Sequence, residues 1–336
     1  MNDDIRVGLI RCDTHGAYYG ALMDRHDPVL LAYPLPQGRL AKYSWQTGGA
    51  HYYFYTRHAD RTAMTVPAVE GFRITRVWDE DRWVAENFSA VFDSKPRVCD
   101  TFAEISDDVD LVFIADCNGD GSDHRELATP GIEKGVPTFI DKPFAFDVGD
   151  ARALVELAER RDTLIMSASI LGELPHAARF RDRFAELEKP AFGTVRGGSL
   201  HMAALIHAIS LALHLFGDGV ESVEAMGQAP QVFVHLGYGG RPDRPSCGGM
   251  LHCDAGPTYH CSFYASAYSR WGAIHSPNLG DFEFPYGAAR ILEQVREMVR
   301  TRRPPKSYAQ MIEPVAIATA IRLSLKEGRK VGLADL

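Results

Sequence analysis

Short apolar runs separated by longer mixed stretches mark the first 170 residues. Ile5–Ile10 is apolar and β-branched and predicts a strand, with a helix to follow over Gly16–Met23. Gly71–Trp78 predicts a second strand and Asp81–Phe92 a second helix. Asp110–Ala115 is an almost unbroken apolar run after an acid, the pattern of a strand covered on both faces. A helix over His124–Lys134 stops at Gly135, and strand Thr138–Ile140 follows. Helix Asp147–Arg161 aligns Ala151, Leu154, Val155 and Ala158 on one face, ahead of strand Leu164–Ser167. Alternation of strand and helix in this manner predicts an α/β, doubly wound parallel sheet of Rossmann type.

Beyond about Pro175 the rhythm changes. Helices over Ala177–Leu187 and His201–Phe216 surround a strand at Phe192–Arg196. Candidate strands at Val220–Gly227, Gln231–Leu236, Met250–Asp254 and Tyr259–Ala265 are separated by Gly/Pro turns. Hairpin-like spacing predicts a mostly antiparallel sheet, and hence a C-terminal α+β domain. Two helices close the chain: Ala288–Arg302, and one that opens at Ser307 and Gln310 and ends at Gly328, with Pro314 bending it or marking its first turn. The expected organisation is a dinucleotide-type domain over 1–146, a connecting helix and strand over 147–175, and a substrate or oligomerisation domain over 176–336, its last helices packing back.

Pro28–Val69 fits neither rhythm. It separates the first helix from the second strand, where two to six residues are usual. With Tyr33, Tyr43, Trp45, Tyr52, Tyr53, Phe54 and Tyr55 it is too aromatic for a solvated linker. It is either a functional or interfacial insertion, or a surface elaboration packed by its own rings.

Composition narrows the classes. At 336 residues the chain is long enough for about two domains. Lys plus Arg is 36 against Asp plus Glu at 44, a net charge of −8, which argues against nucleic acid or an anionic membrane as partner. The start, MNDDIRVGLI, has no basic region followed by an apolar block. Met202–Phe216 is too short to span a bilayer. The six cysteines (12, 99, 117, 247, 253 and 261) form no C-x-x-C pair. A reduced, cytoplasmic protein is expected.

The first strand-to-helix turn, VGLIRCDTHGAYYG, is where a G-x-G-x-x-G motif would let the backbone approach a diphosphate. Aligned on Gly16, the first two glycine positions hold Arg11 and Asp13, so the candidate cofactor turn is Arg11, Cys12, Asp13, Thr14, His15 and Gly16. Arg11 suits a phosphate, whereas Asp13 would repel it. GFRITRVWD ends in Asp79, where a carboxylate would hold the adenosine ribose hydroxyls; the alternative is that it caps the next helix. Glu80 and Asp81 next to it disfavour a 2′-phosphate and so favour NAD over NADP.

DLVFIADCNGDGSDHRELATPGIEKGVPTFIDKPFAF, Asp110 to Phe146, resembles the glucose–fructose oxidoreductase / inositol dehydrogenase family, Gfo/Idh/MocA. Asn118 and His124 stand for the family's A-T-P-N-x-x-H-like segment, and Asp141-Lys142-Pro143 for its Glu-Lys-Pro. The closing helices are also similar, and only Pro28–Val69 lies outside the resemblance. The resemblance implies that Lys142 contacts the nicotinamide ribose and the reacting hydroxyl, that Pro143 shapes the strand exit, and that Asn118 lines the nicotinamide side. For Asn118 an ordinary turn former before Gly119 is the competing reading.

The family's second catalytic element is an Asp-x-x-x-His pair on a helix. Here His207 holds the histidine position, but Ala203 replaces the aspartate and Ser210 a later one. His207 is thus a catalytic candidate without its usual neighbour, or a satisfied core histidine; His201 is a substitute polar group to consider. His252, Cys253, Asp254, His260 and Cys261, with His235, are ligand types near one hairpin, yet their spacing matches no metal motif, and no metal is assigned.

Taken together these residues imply an NAD-dependent oxidoreductase acting on a hydroxyl or carbonyl of a carbohydrate-like small molecule, with Lys142 and His207 handling the proton. A homo-oligomer formed through the C-terminal sheet is implied by the resemblance. The alternatives are a non-redox lyase, dehydratase or isomerase on the same scaffold, and a ligand-sensing protein that has lost catalysis.

Overall fold

A computed structural model of the chain describes residues 4–32, 49–254, 262–280 and 282–336. It divides into two units, Met1–Phe144 with Arg152–Ala168 and Ala288–Ser307, and Ala145–Ala151 with Ser169–Gly287 and Tyr308–Leu336.

The first unit follows from its apolar runs. Its elements are β1 (Ile5–Ile10), α1 (Thr14–Met23), α2 (Pro28–Ala32), α3 (Gly49–Tyr55), β2 (Phe72–Trp78), α4 (Arg82–Val91), β3 (Arg97–Val98), β4 (Leu111–Ile114), α5 (His124–Glu133), β5 (Thr138–Ile140), α6 (Val148–Arg160, which starts in the second unit's residues) and β6 (Ile165–Met166). The strands pair in parallel in the order β3-β2-β1-β4-β5-β6, the doubly wound order whose ligands bind beyond the strand C-termini. Every residue of β4 is buried, as its sequence requires of a central strand. Phe113 and Phe139 stack at 4.4 Å between ring centroids on adjacent strands, with Tyr19 5.0 Å from Phe113. Burying each Phe contributes about 2 kcal/mol of transfer free energy.

All ten residues of α1 are buried, which a helix on an open sheet face would not show. The aromatic insertion supplies the cover. Phe54 of α3 packs at 4.6 Å and Tyr53 at 5.7 Å from the Tyr18 ring, and Tyr55 donates or accepts at 2.7 Å with His26. In its described part the insertion sets its rings against Tyr18 of α1 and His26; Tyr33, Tyr43 and Trp45 lie outside the described residues.

The second unit comprises α7 (Pro175–Asp182), β7 (Phe192–Arg196), α8 (Met202–Phe216), β8 (Ser222–Gln228), β9 (Gln231–Gly237), β10 (Gly249–Cys253), β11 (Tyr264–Ser269), β12 (Gly272–His275), the start of α9 (Phe284–Thr301), α10 (Tyr308–Glu327) and β13 (Val331–Gly332). Its seven strands run β12-β11-β7-β10-β9-β8-β13, antiparallel at each pairing except β7–β10. Alternate residues such as Val195, Val223, Val234, Leu251 and Ala265 face a core shared with Leu205, Ile209, Ala212, Ile317 and Ile321 of α8 and α10. Their neighbours Arg196, Met226, Phe233 and Tyr264 point the other way, into solvent. Thus one sheet face is covered by helices and the other is open.

Several boundaries differ from the sequence expectation. The helix expected over Ala177–Leu187 is α-helical only to Asp182 and tightens to a 3₁₀ turn over Arg183–Leu187. The helix expected from Ala288 begins at Phe284. Pro314 is the seventh residue of α10, so it does not mark the helix's first turn, and the helix forgoes there the amide bond to the carbonyl of Gln310. The strand expected over Tyr259–Ala265 falls partly outside the described residues; its described portion continues to Ser269 and turns into β12, which carries no apolar run long enough to announce it.

Candidate functional site

β1, β2 and β4 end side by side, so the residues just beyond them, Arg11, Asp79 and Asp116, converge by topology. They line a cavity of about 220 Å³ together with Asp13, Glu80, Asn118 and Gly119. Of the cofactor residues expected from sequence, Arg11, Asp13, Asp79 and Asn118 meet here.

The turn between β1 and α1 keeps the glycine motif's shape with other residues. Arg11 takes φ +71°, the left-handed conformation that a first glycine adopts freely. Gly16 is the one retained glycine, and a Cβ there would stand 2.4 Å from the Arg11 carbonyl oxygen, so helix and strand can approach only with glycine. Cys12 and His15 are buried beneath the turn, and Thr14 opens α1. Asp13 caps the helix: its Oδ1 accepts from the Gly16 amide at 3.0 Å and its Oδ2 from the Cys117 amide at 2.5 Å. Desolvation pushes the Asp13 carboxyl up from its ordinary pKa, against His15 and the two amides, which pull it down.

Asp79 does not cap α4; Asp81 does, accepting from the Trp83 amide at 3.1 Å. Asp79 is buried and accepts the Cys12 amide at 2.9 Å and the Asp81 amide at 3.0 Å, fixing its carboxylate at the rim of the cavity. Asp116 accepts the Gly119 amide at 2.6 Å and lies 3.2 Å from His124 Nε2. Burial would raise the Asp116 carboxyl, but His124 and Arg11 outweigh it and hold it well below the ordinary range. Arg11 pairs with Asp123 and Glu80, and its Nε is buried with no partner among the described residues. Asp116, Asp123 and His124 place ligand-type atoms within 4.8 Å of one another. The Arg11 guanidinium answers part of their charge.

At the β5 tip, Lys142 is 3% exposed, donates from Nζ to the Cys117 carbonyl at 2.6 Å, and precedes Pro143 through a cis peptide bond. Asp141 is fully buried and accepts from the Asp116 amide at 3.1 Å and the Lys142 amide at 2.8 Å. His15 Nδ1 lies 2.5 Å from Asp141 Oδ2. Burial would lower the His15 imidazole; the charges of Cys117 and Asp141 overcome it and push it up to about 10. This pairing was invisible in sequence because the partners are 126 residues apart. Asp116, which the sequence reading did not single out, directly follows the apolar run Leu111–Ala115, and that place at the end of a central strand is the local signal that could have found it.

In the second unit, His207 is half-buried on α8, with Nδ1 2.7 Å from Ser169 Oγ and its ring stacked 6.4 Å from Phe284. Ser169 is thus a polar neighbour of His207, a residue the sequence reading did not consider, while the aspartate position is the buried Ala203. His201 is exposed at the start of α8 and does not take that part. His252 bonds Gln231 at 2.6 Å and stacks on Phe233, and His235 bonds the Cys247 carbonyl at 3.0 Å. These two imidazoles have partners of their own; His260 and Cys261 lie outside the described residues.

The cavity tests whether a dinucleotide suits these residues. Asp79 offers a buried carboxylate at the tip of β2, in the lining of the cavity. The amides of Gly16 and Cys117 already hold an anion, supplied by Asp13, so they form an anion cradle of the kind a helix N-terminus provides. The cradle fits a phosphate wherever the Asp13 side chain is withdrawn.

Residues 48–169 match the model of an oxidoreductase family, NAD-binding Rossmann fold, namely GFO/IDH/MocA. Over those residues the chain is similar to that family. The fold as a whole is similar to a myo-inositol dehydrogenase from Corynebacterium glutamicum, at 16% identity and a TM-score of 0.69 over 98% of this chain and 99% of that one. GenD2 from gentamicin A biosynthesis, solved in complex with NAD, gives 15% identity and a TM-score of 0.71 over 98% and 96%. UDP-N-acetylglucosamine 3-dehydrogenase from Acidithiobacillus ferrooxidans gives 16% and 0.66 over 96% and 98%. No curated protein sequence matches the chain. Among the described residues no helix is long and apolar enough to cross a membrane.

Proposed function

We propose that the protein is an NAD-linked oxidoreductase acting on a hydroxyl or carbonyl of a sugar, polyol or similar small molecule. The observation that carries this reading is the buried Asp79 carboxylate at the tip of β2, lining the same cavity as Arg11 and Asn118. The family match over residues 48–169 and the sugar and polyol dehydrogenases sharing the fold support it. The acidic run Asp79-Glu80-Asp81 favours NAD over NADP by repelling a 2′-phosphate.

The bound nicotinamide would accept or supply hydride. Asp79 would accept hydrogen bonds from the adenosine ribose hydroxyls, and Asn118 and the Pro143 turn would line the cleft. Lys142, desolvated at the β5 tip, is the candidate to hold or move the hydroxyl proton, and the Cys117 carbonyl orients its ammonium. His207, oriented by Ser169, is the second proton-handling candidate. Titration with NADH tests the reading directly. A saturable fluorescence change with a thermal shift is expected, and neither effect at millimolar NADH would overturn it.

Asp13 gives specific weight to the second reading, a non-redox lyase, dehydratase or isomerase of oxidised sugars on this scaffold, since a resident carboxylate opposes a diphosphate. Substrate turnover without any change in nicotinamide absorbance would favour it. A cytoplasmic location and assembly into a homo-oligomer through the open sheet face complete the proposal. Met226 and Phe233, opposite each other on β8 and β9, are 59% and 36% exposed, and Tyr264 on β11 is 44% exposed. Apolar side chains spread over one sheet face suit a second copy of the chain.

A further inference from the structure

Of the two residues that replace the turn's missing glycines, Asp13 takes amides that would suit a diphosphate, and Arg11 is a cation paired with Asp123 and Glu80. Asp13 does more than cap a helix. A cap needs the one bond to Gly16, whereas Asp13 also takes the amide of Cys117, on the loop after β4. Its carboxylate therefore bridges the N-terminus of α1 and the neighbouring strand exit, the span that a bound phosphate crosses in a doubly wound domain. Arg11, at the first glycine position, is turned onto Asp123 and Glu80, and its Nε is buried with no partner among the described residues.

We infer that Asp13 is a built-in anion that occupies the diphosphate position and sets dinucleotide affinity, so that a phosphate-bearing ligand binds only when the Asp13 side chain leaves the Gly16 and Cys117 amides. This rests on the proposed cofactor role of the cavity and deepens it. Two anions cannot share one pair of amides, and a carboxylate left beside a diphosphate repels it across a desolvated gap. The penalty falls on the phosphates alone. A nucleoside that reaches Asp79 without crossing the turn escapes it. Once Asp13 is withdrawn, the orphan Arg11 Nε is a donor within the same cavity lining.

The experiment compares NADH, ADP and adenosine binding by calorimetry to the full-length protein and to Asp13→Asn, Asp13→Gly and Glu80→Gln. Asn keeps a good capping side chain without the charge, and Gly removes the side chain altogether, so a folding defect in one variant leaves the other informative. Circular dichroism and thermal melting verify folding of each. NADH and ADP are expected to bind the Asp13 variants at least tenfold tighter than the unaltered protein, with adenosine changed less than twofold. Glu80→Gln, which removes a charge from the same cavity without touching the amides, is expected to gain less than threefold. Equal NADH binding by the unaltered protein and the Asp13 variants overturns the inference and leaves the cofactor reading standing. An equal gain for adenosine, or a gain from Glu80→Gln as large as from Asp13→Asn, overturns it as well. Failure of every form to bind NADH overturns both the inference and the cofactor reading.

Discussion

His15 Nδ1 lies 2.5 Å from Asp141 Oδ2, joining the first helix to the tip of β5 with both side chains buried. The pair makes stability depend on pH in a defined direction. The folded-state pKa of His15, about 10, lies above its ordinary 6.5. Its contribution is therefore fully present below about pH 6.5 and is lost as pH rises through about 10. The melting temperature of the unaltered protein relative to His15→Gln is expected to be greatest near pH 6 and to shrink steadily toward pH 10. A difference that stays constant across that range would rule out the pairing as a charged one.

Lys142→Met should lower kcat by about 10² to 10⁴, the usual worth of a general acid or base, while the variant stays folded, because the methionine stem fills the same buried space. Steady-state rates with a panel of polyols and sugars, alongside NADH binding, separate the two effects. Unaltered turnover on an accepted substrate would remove Lys142 from the chemistry.

Asp79→Ala is expected to weaken both adenosine and NADH by tenfold or more, unlike the Asp13 variants, which should affect phosphate-bearing ligands alone. It also strands the Cys12 and Asp81 amides that the carboxylate accepts. Buried donors left unsatisfied cost about 1–3 kcal/mol each where water cannot replace the acceptor, so a lower urea midpoint should accompany the lost affinity. Asp79→Asn, which keeps one acceptor oxygen, should recover part of the stability.

Glu313 carries a structural prediction in the second unit. One oxygen, Oε1, accepts the Gly219 amide at 2.7 Å and the Val220 amide at 2.8 Å, and burial pushes its carboxyl above the ordinary value. Glu313→Ala should cost about 2 kcal/mol through two unsatisfied donors, and Glu313→Gln clearly less, read as shifts in denaturant midpoint at constant slope.

Much of the fold was legible in the chain because burial imposes a periodicity. Leu111–Ile114 is apolar throughout and is buried throughout. The alternation along Gln231–Gly237 reads directly as one covered and one open sheet face. Asp79 and Lys142 were legible as strand-tip residues, since doubly wound sheets gather function there. Segments without a long apolar run, β3 and β12, were not legible, and helix ends moved by a few residues because caps and 3₁₀ turns depend on neighbours.

By itself, then, the sequence determined which strands are central, where the parallel rhythm gives way to the antiparallel one, and which turn joins the first strand to the first helix. Only tertiary structure decided what that turn holds. Asp13 beside Gly16 is an ordinary helix cap in sequence; the Cys117 amide, 104 residues away, turns it into an occupant of an anion cradle. His15 finds Asp141, and His207 finds Ser169, by the same means. Hydrophobic period is a local property that each segment carries with it, whereas charge and hydrogen-bond complementarity exist only between segments that the fold has brought together.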